Sequence, residues 1–178
     1  VIPINGLVWM GDQAFMKAQI EEKLKTGFSC IKMKIGAIDF DAEIRLLKSI
    51  RKEFSANEIE LRVDANGAFN PENALDKLKK LSELDIHSIE QPIKQGQLQE
   101  MASLCESTPL PIALDEELIG VFSLDEKKRI IEIVHPQFII LKPSLVGGFR
   151  GTKEWIDIVE SKNSKWWITS ALESNVGL

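Results

Sequence analysis

The sequence predicts an α/β protein, a parallel (β/α) barrel of the TIM type, on three observations. Short, nearly continuous apolar runs alternate with stretches of helical periodicity, the pattern of a parallel sheet buried beneath helices. Charged residues end four of these runs, at Asp64, Glu90, Asp115 and Lys142; subtracting their positions gives steps of 26, 25 and 27 residues. Those steps are near the roughly 30 residues per unit of an eight-unit barrel of about 250 residues. No Gly-rich phosphate turn follows the first strand, which speaks against a doubly wound sheet with its site at a switch point.

Each element has a local reason. Ile2 to Met10 reads as a first strand, and Gly11 and Asp12 turn the chain into a helix that Gly27 stops near Thr26. Phe28 to Ile35 is the second strand. Asp39 or Asp41 caps a helix in which Ile44, Leu47, Ile50 and Phe54 form one apolar face. Leu61 and Val63 make a short strand ending at Asp64; Asn70 as N-cap and Pro71 at the first helical position open the next helix, with Leu75, Leu78 and Leu81 inward. A strand from Ile86 ends at Glu90, Leu98 to Cys105 is helical, and Pro111 to Leu114 leads to Asp115. Ser123 opens a helix to Val134, Gln137 to Leu141 is a strand stopped by Lys142-Pro143, Thr152 to Glu160 is helical, and Trp166 to Ser170 is the last strand. Seven strands are found where a closed barrel has eight, so the closing strand is expected to be absent and residues 1–178 to form one partial barrel domain.

Composition bounds the function. At 178 residues, 44% hydrophobic, the chain can build one substantial core, and its net charge of −5 with interspersed Lys and Glu leaves no basic stripe for nucleic acid. No apolar run reaches the roughly 18 residues of a membrane span. Cys30 and Cys105 have neither zinc nor redox-motif spacing and read as buried, reduced thiols, which favours the cytoplasm. The first residue is not Met and no export signal is visible, so the natural chain is expected to begin earlier or to be processed. The expected partner is a small molecule.

The chemistry is carried by strand ends. Asp64, Glu90 and Asp115 end three successive strands, and parallel strands bring such residues to one rim. Taken singly, each reads more simply as an Asx turn or a solvated acid. Together, three like charges raise one another's pKa unless a cation joins them, and oxygen-only ligands suit a hard ion such as Mg²⁺ or Mn²⁺. Lys32 and Lys34 are two apart in a strand and face one way, with Ile31, Met33 and Ile35 facing the helical layer. A Lys-x-Lys strand serves equally as a charged sheet edge; inside a barrel it instead places two ammonium groups in the interior, where Lys32 disfavours the charged form of Lys34 and suits it to act as a base. Lys142 enters from the far side of the rim.

Lys32-Met33-Lys34, Asp64-Ala65-Asn66, Glu90-Gln91-Pro92, Asp115-Glu116-Glu117 and Lys142-Pro143, in this order and at these intervals, resemble the enolase superfamily in its muconate-lactonizing subgroup. Lys142 to Leu145, Gly147-Gly148 and Ser170 to Asn175 are most similar to the o-succinylbenzoate synthases within it. The resemblance implies that Asp64, Glu90 and Asp115 hold Mg²⁺, that Lys34 is the acid/base, that Lys32 holds the substrate carboxylate and that Lys142 stabilises the enediolate from the opposite face. Asn66 and Glu116 would support the metal ligands, and Ser170 and Glu173 would contact substrate. The implied reaction removes the proton α to a carboxylate and dehydrates a cyclohexadiene carboxylate to o-succinylbenzoate in menaquinone biosynthesis. Measured against that resemblance, the N-terminal capping domain of the superfamily is expected to be absent from residues 1–178. Two alternatives stand: an N-acylamino acid racemase or dipeptide epimerase using Lys34 and Lys142 on opposite faces, and a non-catalytic barrel fragment. An open barrel side would also favour self-association.

His87 and His135 read as packing or surface residues preceding strands, Trp166 and Trp167 as one helix-layer and one interior contact, and Gly147-Gly148 as a plain turn.

Overall fold

The structure, a computed structural model, describes residues 3–172. Seven strands alternate with six α-helices: β1 (Gly6–Val8), α1 (Gln13–Lys25), β2 (Cys30–Lys34), α2 (Phe40–Glu53), β3 (Glu60–Asp64), α3 (Pro71–Ser82), β4 (Ile86–Glu90), α4 (Leu98–Ser107), β5 (Ile112–Leu114), α5 (Leu124–Val134), β6 (Phe138–Leu141), α6 (Gly148–Glu160) and β7 (Lys165–Ile168). All strands are parallel, and each pairs with its sequence neighbours in the order β1 to β7. The sheet is curled into an open barrel whose first and last strands are not paired with each other among the described residues.

The helices begin where the sequence supplies caps. Asp12 accepts from Phe15 N–H, Asp39 from Ala42 N–H, and Asn70 from Glu72 N–H ahead of Pro71. Asp39, not Asp41, is therefore the cap of α2. The last three helices start without a side-chain cap, Ser123 included. α6 starts earlier than the sequence suggests because Gly147, with φ at +98°, bends the chain directly into it, so Gly147-Gly148 is a helix entrance rather than a free turn. Two single 3-10 turns, Glu116–Leu118 and Pro143–Leu145, were not legible in the apolar pattern. β1 is shorter than Ile2 to Met10, and Ile2 lies outside the described residues.

The main core lies between sheet and helices. Ile31, Met33, Leu61, Val63, Ile89, Ile112 and Leu141 point outward from the strands against Leu47, Ile50, Leu78, Leu81, Met101, Ile131 and Trp155 of the helices, all fully or nearly fully buried. With about 1.5–3 kcal/mol for each large apolar side chain buried, this layer dominates the stability of the fold. Arg51 of α2 clamps the lower ends of two strands: it donates to the carbonyls of Ile59, Leu84 and Asp85 at 2.8, 2.9 and 3.0 Å.

The inward face is polar and ordered in layers. Low in the barrel, Arg62 donates to Glu60 at 2.6 Å, and its guanidinium lies 4.3 Å from the ring centroid of Trp167. The Arg62–Trp167 contact brings β3 and β7 together across the interior. His87 sits within β4 at a shift in register, not before the strand, and its ring meets Phe138 at 5.0 Å and Trp167 at 6.1 Å. His135 ends α5 in the left-handed conformation. Trp166 faces the helical layer and donates to Glu160, so the two tryptophans divide as strand alternation requires. Cys105 is buried, whereas Cys30 is only half-buried, with its thiol 3.5 Å from Glu60.

Candidate active site

Asp64, Glu90 and Asp115 come together at the carboxyl ends of β3, β4 and β5, each between 1% and 2% exposed. β3 and β4 pair with Asp64 opposite Glu90, so register alone places two of the acids side by side. The structure also brings in all three lysines. Lys32 Nζ reaches Glu90 at 2.8 Å and Asp64 at 3.3 Å, Lys34 Nζ reaches Asp64 at 2.8 Å, and Lys142 pairs with Asp115. Six titratable groups are thus gathered at one rim, and each of the three acids has a lysine partner.

Burial and opposite charge compete across this network. Burial alone would raise the Asp64 carboxyl, but the Lys32 and Lys34 charges outweigh it and hold the group below its ordinary value. For Glu90, burial and then the neighbouring Asp64 charge prevail over Lys32 and push the carboxyl up to about 8. Burial disfavours the charged form of Lys32, yet Glu90 and Asp64 together raise its pKa above the ordinary one.

Asn66, in the left-handed conformation at φ +43°, accepts from Lys34 Nζ at 2.6 Å and donates to Glu116 Oε1 at 2.8 Å. The two residues expected to support the ligands are thus linked to each other and to Lys34. The immediate neighbours of Lys34 are a carboxylate and an amide oxygen, which are partners for an ammonium. Proximity to Lys32 alone does not predict them.

Gln91 is a residue that sequence reasoning passed over. It is fully buried, its side-chain oxygen accepts from the N–H groups of Asp115 and Glu117 at 3.2 and 3.3 Å, and its nitrogen donates to Ile93 O at 3.0 Å and to Glu117 at 3.3 Å. Its own N–H donates to Ala113 O, and its carbonyl accepts from Gly67 N at 2.7 Å, just beyond Asp64. One residue therefore joins the ends of β3, β4 and β5. Its signal was a long polar side chain immediately after a strand-end acid, before a proline. Glu43 does comparable work after β2: buried in α2, it accepts from Gly36 N at 2.6 Å and fixes the turn that follows Lys34.

A cavity of about 250 Å³ opens at this rim. It is lined by the charged residues Lys32, Lys34, Asp64, Glu90 and Lys142 and by Leu7, Trp9, Leu145, Ser170 and Leu172. Ser170 is placed as expected at the pocket, with its hydroxyl accepting from Leu172 N at 3.0 Å; Glu173 lies outside the described residues.

The residues suit a divalent cation by two tests. The donor set is all oxygen, as Mg²⁺ requires, and Glu90 Oε1 and Asp115 Oδ1 are buried oxygens without a hydrogen-bond partner. As they stand, however, no three His, Cys, Asp or Glu side chains among the described residues are arranged to hold an ion. The lysine pairings account for this: Lys32 takes the place between Asp64 and Glu90, and Lys142 holds Asp115.

Residues 15–178 match the model of the enolase C-terminal domain-like family. The chain belongs to that family. It is 56% identical to the o-succinylbenzoate synthase of Desulfotalea psychrophila (strain LSv54 / DSM 12343) over 99% of its own length and 48% of that protein. The crystal structure of MenC from Desulfotalea psychrophila LSv54 superposes with a TM-score of 0.90 at 55% identity, covering 99% of this chain and 48% of that one. The N-succinylamino acid racemase of Thermus thermophilus is 34% identical over 89% of the chain and 40% of that protein. The chain thus spans about half the length of the relatives it matches. The fold expectation, a parallel barrel of enolase-superfamily type seen here as seven strands, agrees with these neighbours. Among the described residues no helix is long and apolar enough to cross a membrane.

Proposed function

We propose that this chain carries the catalytic rim of an o-succinylbenzoate synthase, a Mg²⁺-dependent lyase that dehydrates a cyclohexadiene carboxylate in menaquinone biosynthesis. The observation that carries the reading is the pocket lined by Lys34, Lys142, Asp64 and Glu90, with Asp115 paired to Lys142 beside it; the 56% identity to an o-succinylbenzoate synthase supports the choice of reaction. Asp64, Glu90 and Asp115 would hold Mg²⁺, with Mn²⁺ as a substitute. The pairing of a lysine base with Mg²⁺ is the general pattern of enolase-superfamily sites. When bound, Mg²⁺ would supply polarisation of the substrate carboxylate and counter-charge for its enediolate.

The chain's own residues account for the rest. Lys32, freed from Glu90 and Asp64 by a bound cation, would donate to the substrate carboxylate and orient it. Lys34 Nζ, as the free amine, would take the α-proton, and the C–H electron pair would enter the enediolate. Collapse of the enediolate would break the C–O bond to the leaving hydroxyl, and the same Lys34 would return its proton, so that water departs and the ring becomes aromatic. Lys142 would face the developing charge from the other side and stabilise it throughout. Asn66 would keep Lys34 aimed through the 2.6 Å contact. The two free thiols support a reducing compartment, the cytoplasm.

A second reading is favoured by one observation, the 34% identity to an N-succinylamino acid racemase. There Lys34 and Lys142 would both act as bases, one on each face. Assay of the intact protein with Mg²⁺ against the cyclohexadiene carboxylate and against an N-succinylamino acid separates the two. Dehydration of the first is expected. Racemisation of the second without dehydration would overturn the synthase reading, and turnover of neither would leave a barrel without catalysis.

A further inference from the structure

We propose that Trp9 is a substrate-contacting, specificity-determining residue of this pocket, whose indole receives the unsaturated six-membered ring of a cyclic carboxylate. The inference rests on the synthase reading for the identity of the ligand and on three separate observations for the residue. First, the register of β1 on β2 pairs Leu7 with Lys32 and Val8 with Met33, so Trp9 is level with Lys34 and on the same inward face as Leu7. Second, the ring is already against the base: Lys34 Nζ lies 5.6 Å from the indole centroid. Third, the main chain of Trp9 is clamped. The side-chain amide of Gln19 in α1 donates to Trp9 O at 3.1 Å and accepts from Trp9 N at 3.0 Å, replacing the strand pairing that β1 lacks at this point.

The result is a large aromatic held in place yet 46% exposed on the wall of the cavity. Leaving such a surface open is unfavourable unless something covers it. Reach decides what covers it. A carbon whose proton Lys34 removes must come within about 3 to 3.5 Å of Nζ. A six-membered ring bearing that carbon then meets the indole beside it, while its carboxylate remains among the lysines. Leu7, Leu145 and Leu172 also line the pocket, so its lining offers apolar surface for a ring as well as lysines for a carboxylate. An open-chain N-acylamino acid presents only a small planar amide and no ring to Trp9, and gains less from it.

The test uses the intact Mg²⁺-loaded protein, its Trp9→Ala and Trp9→Phe variants, and two probes: o-succinylbenzoate and, as a ring-free control, succinate. Trp9→Ala should bind o-succinylbenzoate about tenfold more weakly and raise KM by a similar factor with a smaller change in kcat, whereas Trp9→Phe stays within about threefold, as expected for loss or retention of one aromatic contact. Mg²⁺ affinity should be the same in all three. The change in tryptophan emission on adding o-succinylbenzoate should vanish in Trp9→Phe, and succinate should cause none. Product binding as tight in Trp9→Ala as in the unmutated protein, or an emission change that persists in Trp9→Phe, would overturn the proposal; if the alanine variant does not fold, the emission of Trp9→Phe decides. If o-succinylbenzoate binds with a Trp9-dependent emission change but no dehydration occurs, the reaction reading falls and the contact stands. Dehydration with a KM indifferent to residue 9 has the opposite meaning.

Discussion

The middle of the sheet and its two margins are built to different standards. In β3, β4 and β5 the strand ends are tied to one another by Gln91, and Asp64, Glu90 and Asp115 are almost wholly buried. At the margins, β1 is three residues long, and Ile4, Trp9 and Ile168 leave 71%, 46% and 53% of their surface exposed. The contrast teaches where precision is needed. Carboxylates that share one small volume tolerate little displacement, because each depends on the position of the next charge, and their backbone is held by more hydrogen bonds than the ladder alone supplies. The margins carry apolar surface that can meet a ligand or another chain.

The comparison breaks most visibly at the base. Lys34→Ala should reduce exchange of the substrate α-proton with solvent deuterium to background, while Mg²⁺ binding persists, since the proposed base and the proposed ligands come from different strands. Exchange at the normal rate would move the role of base to Lys142. Next in size is Gln91→Ala, which strips partners from the buried N–H groups of Asp115 and Glu117. A loss of about 2 kcal/mol or more in denaturant unfolding is expected for groups left unsatisfied, together with weaker Mg²⁺ binding. A variant with unchanged stability and affinity would mean that the three strand ends hold themselves.

Much of this architecture is legible in the sequence, for definable reasons. Asp64, Glu90, Asp115 and Lys142 mark strand ends because polarity rises abruptly after an apolar run, and Lys32 with Lys34 could be assigned to the interior by alternation. Asn70 was readable as the cap of α3 and Gly11-Asp12 as the entrance to α1, whereas for α2 the sequence left Asp39 and Asp41 open and the structure selects Asp39. Gln91 was not, because its role depends on N–H groups from a strand 24 residues on. The ion pairing of Lys32 to both Glu90 and Asp64 was also hidden, since it follows from register rather than spacing. The early start of α6 escaped because it depends on the positive φ of Gly147, which apolar periodicity does not report.

Smaller effects are expected at the margins. Ile168→Thr removes exposed apolar surface from β7 and should alter unfolding by well under about 1 kcal/mol, yet it should reduce any concentration-dependent association seen by sedimentation equilibrium. Association that is unaffected by both this change and Ile4→Thr would place the contact elsewhere. The smallest effect concerns pH. Burial holds His87 below its ordinary pKa of 6.5, against the charge of Glu60 and together with those of Arg62 and Lys165. The unfolded chain therefore binds a proton before the folded one as pH falls, so this group leaves stability unchanged above about 6.5 and lowers it progressively below. His87→Phe should flatten that decline in unfolding curves taken from about pH 7 to 5.

The central claim is that the three strand-end carboxylates hold a divalent cation in place of their lysine partners, and calorimetric titration with Mg²⁺ tests it most directly. The protein should give a saturable one-site isotherm whose affinity increases as pH rises toward about 8, because Glu90 must lose its proton to become a ligand. Asp64→Ala, verified as folded by circular dichroism, should bind at least about 100-fold more weakly, the upper part of the loss that even an outer-sphere partner can cause. Equal affinity in the two proteins would contradict the assignment of Asp64, Glu90 and Asp115 as the metal centre.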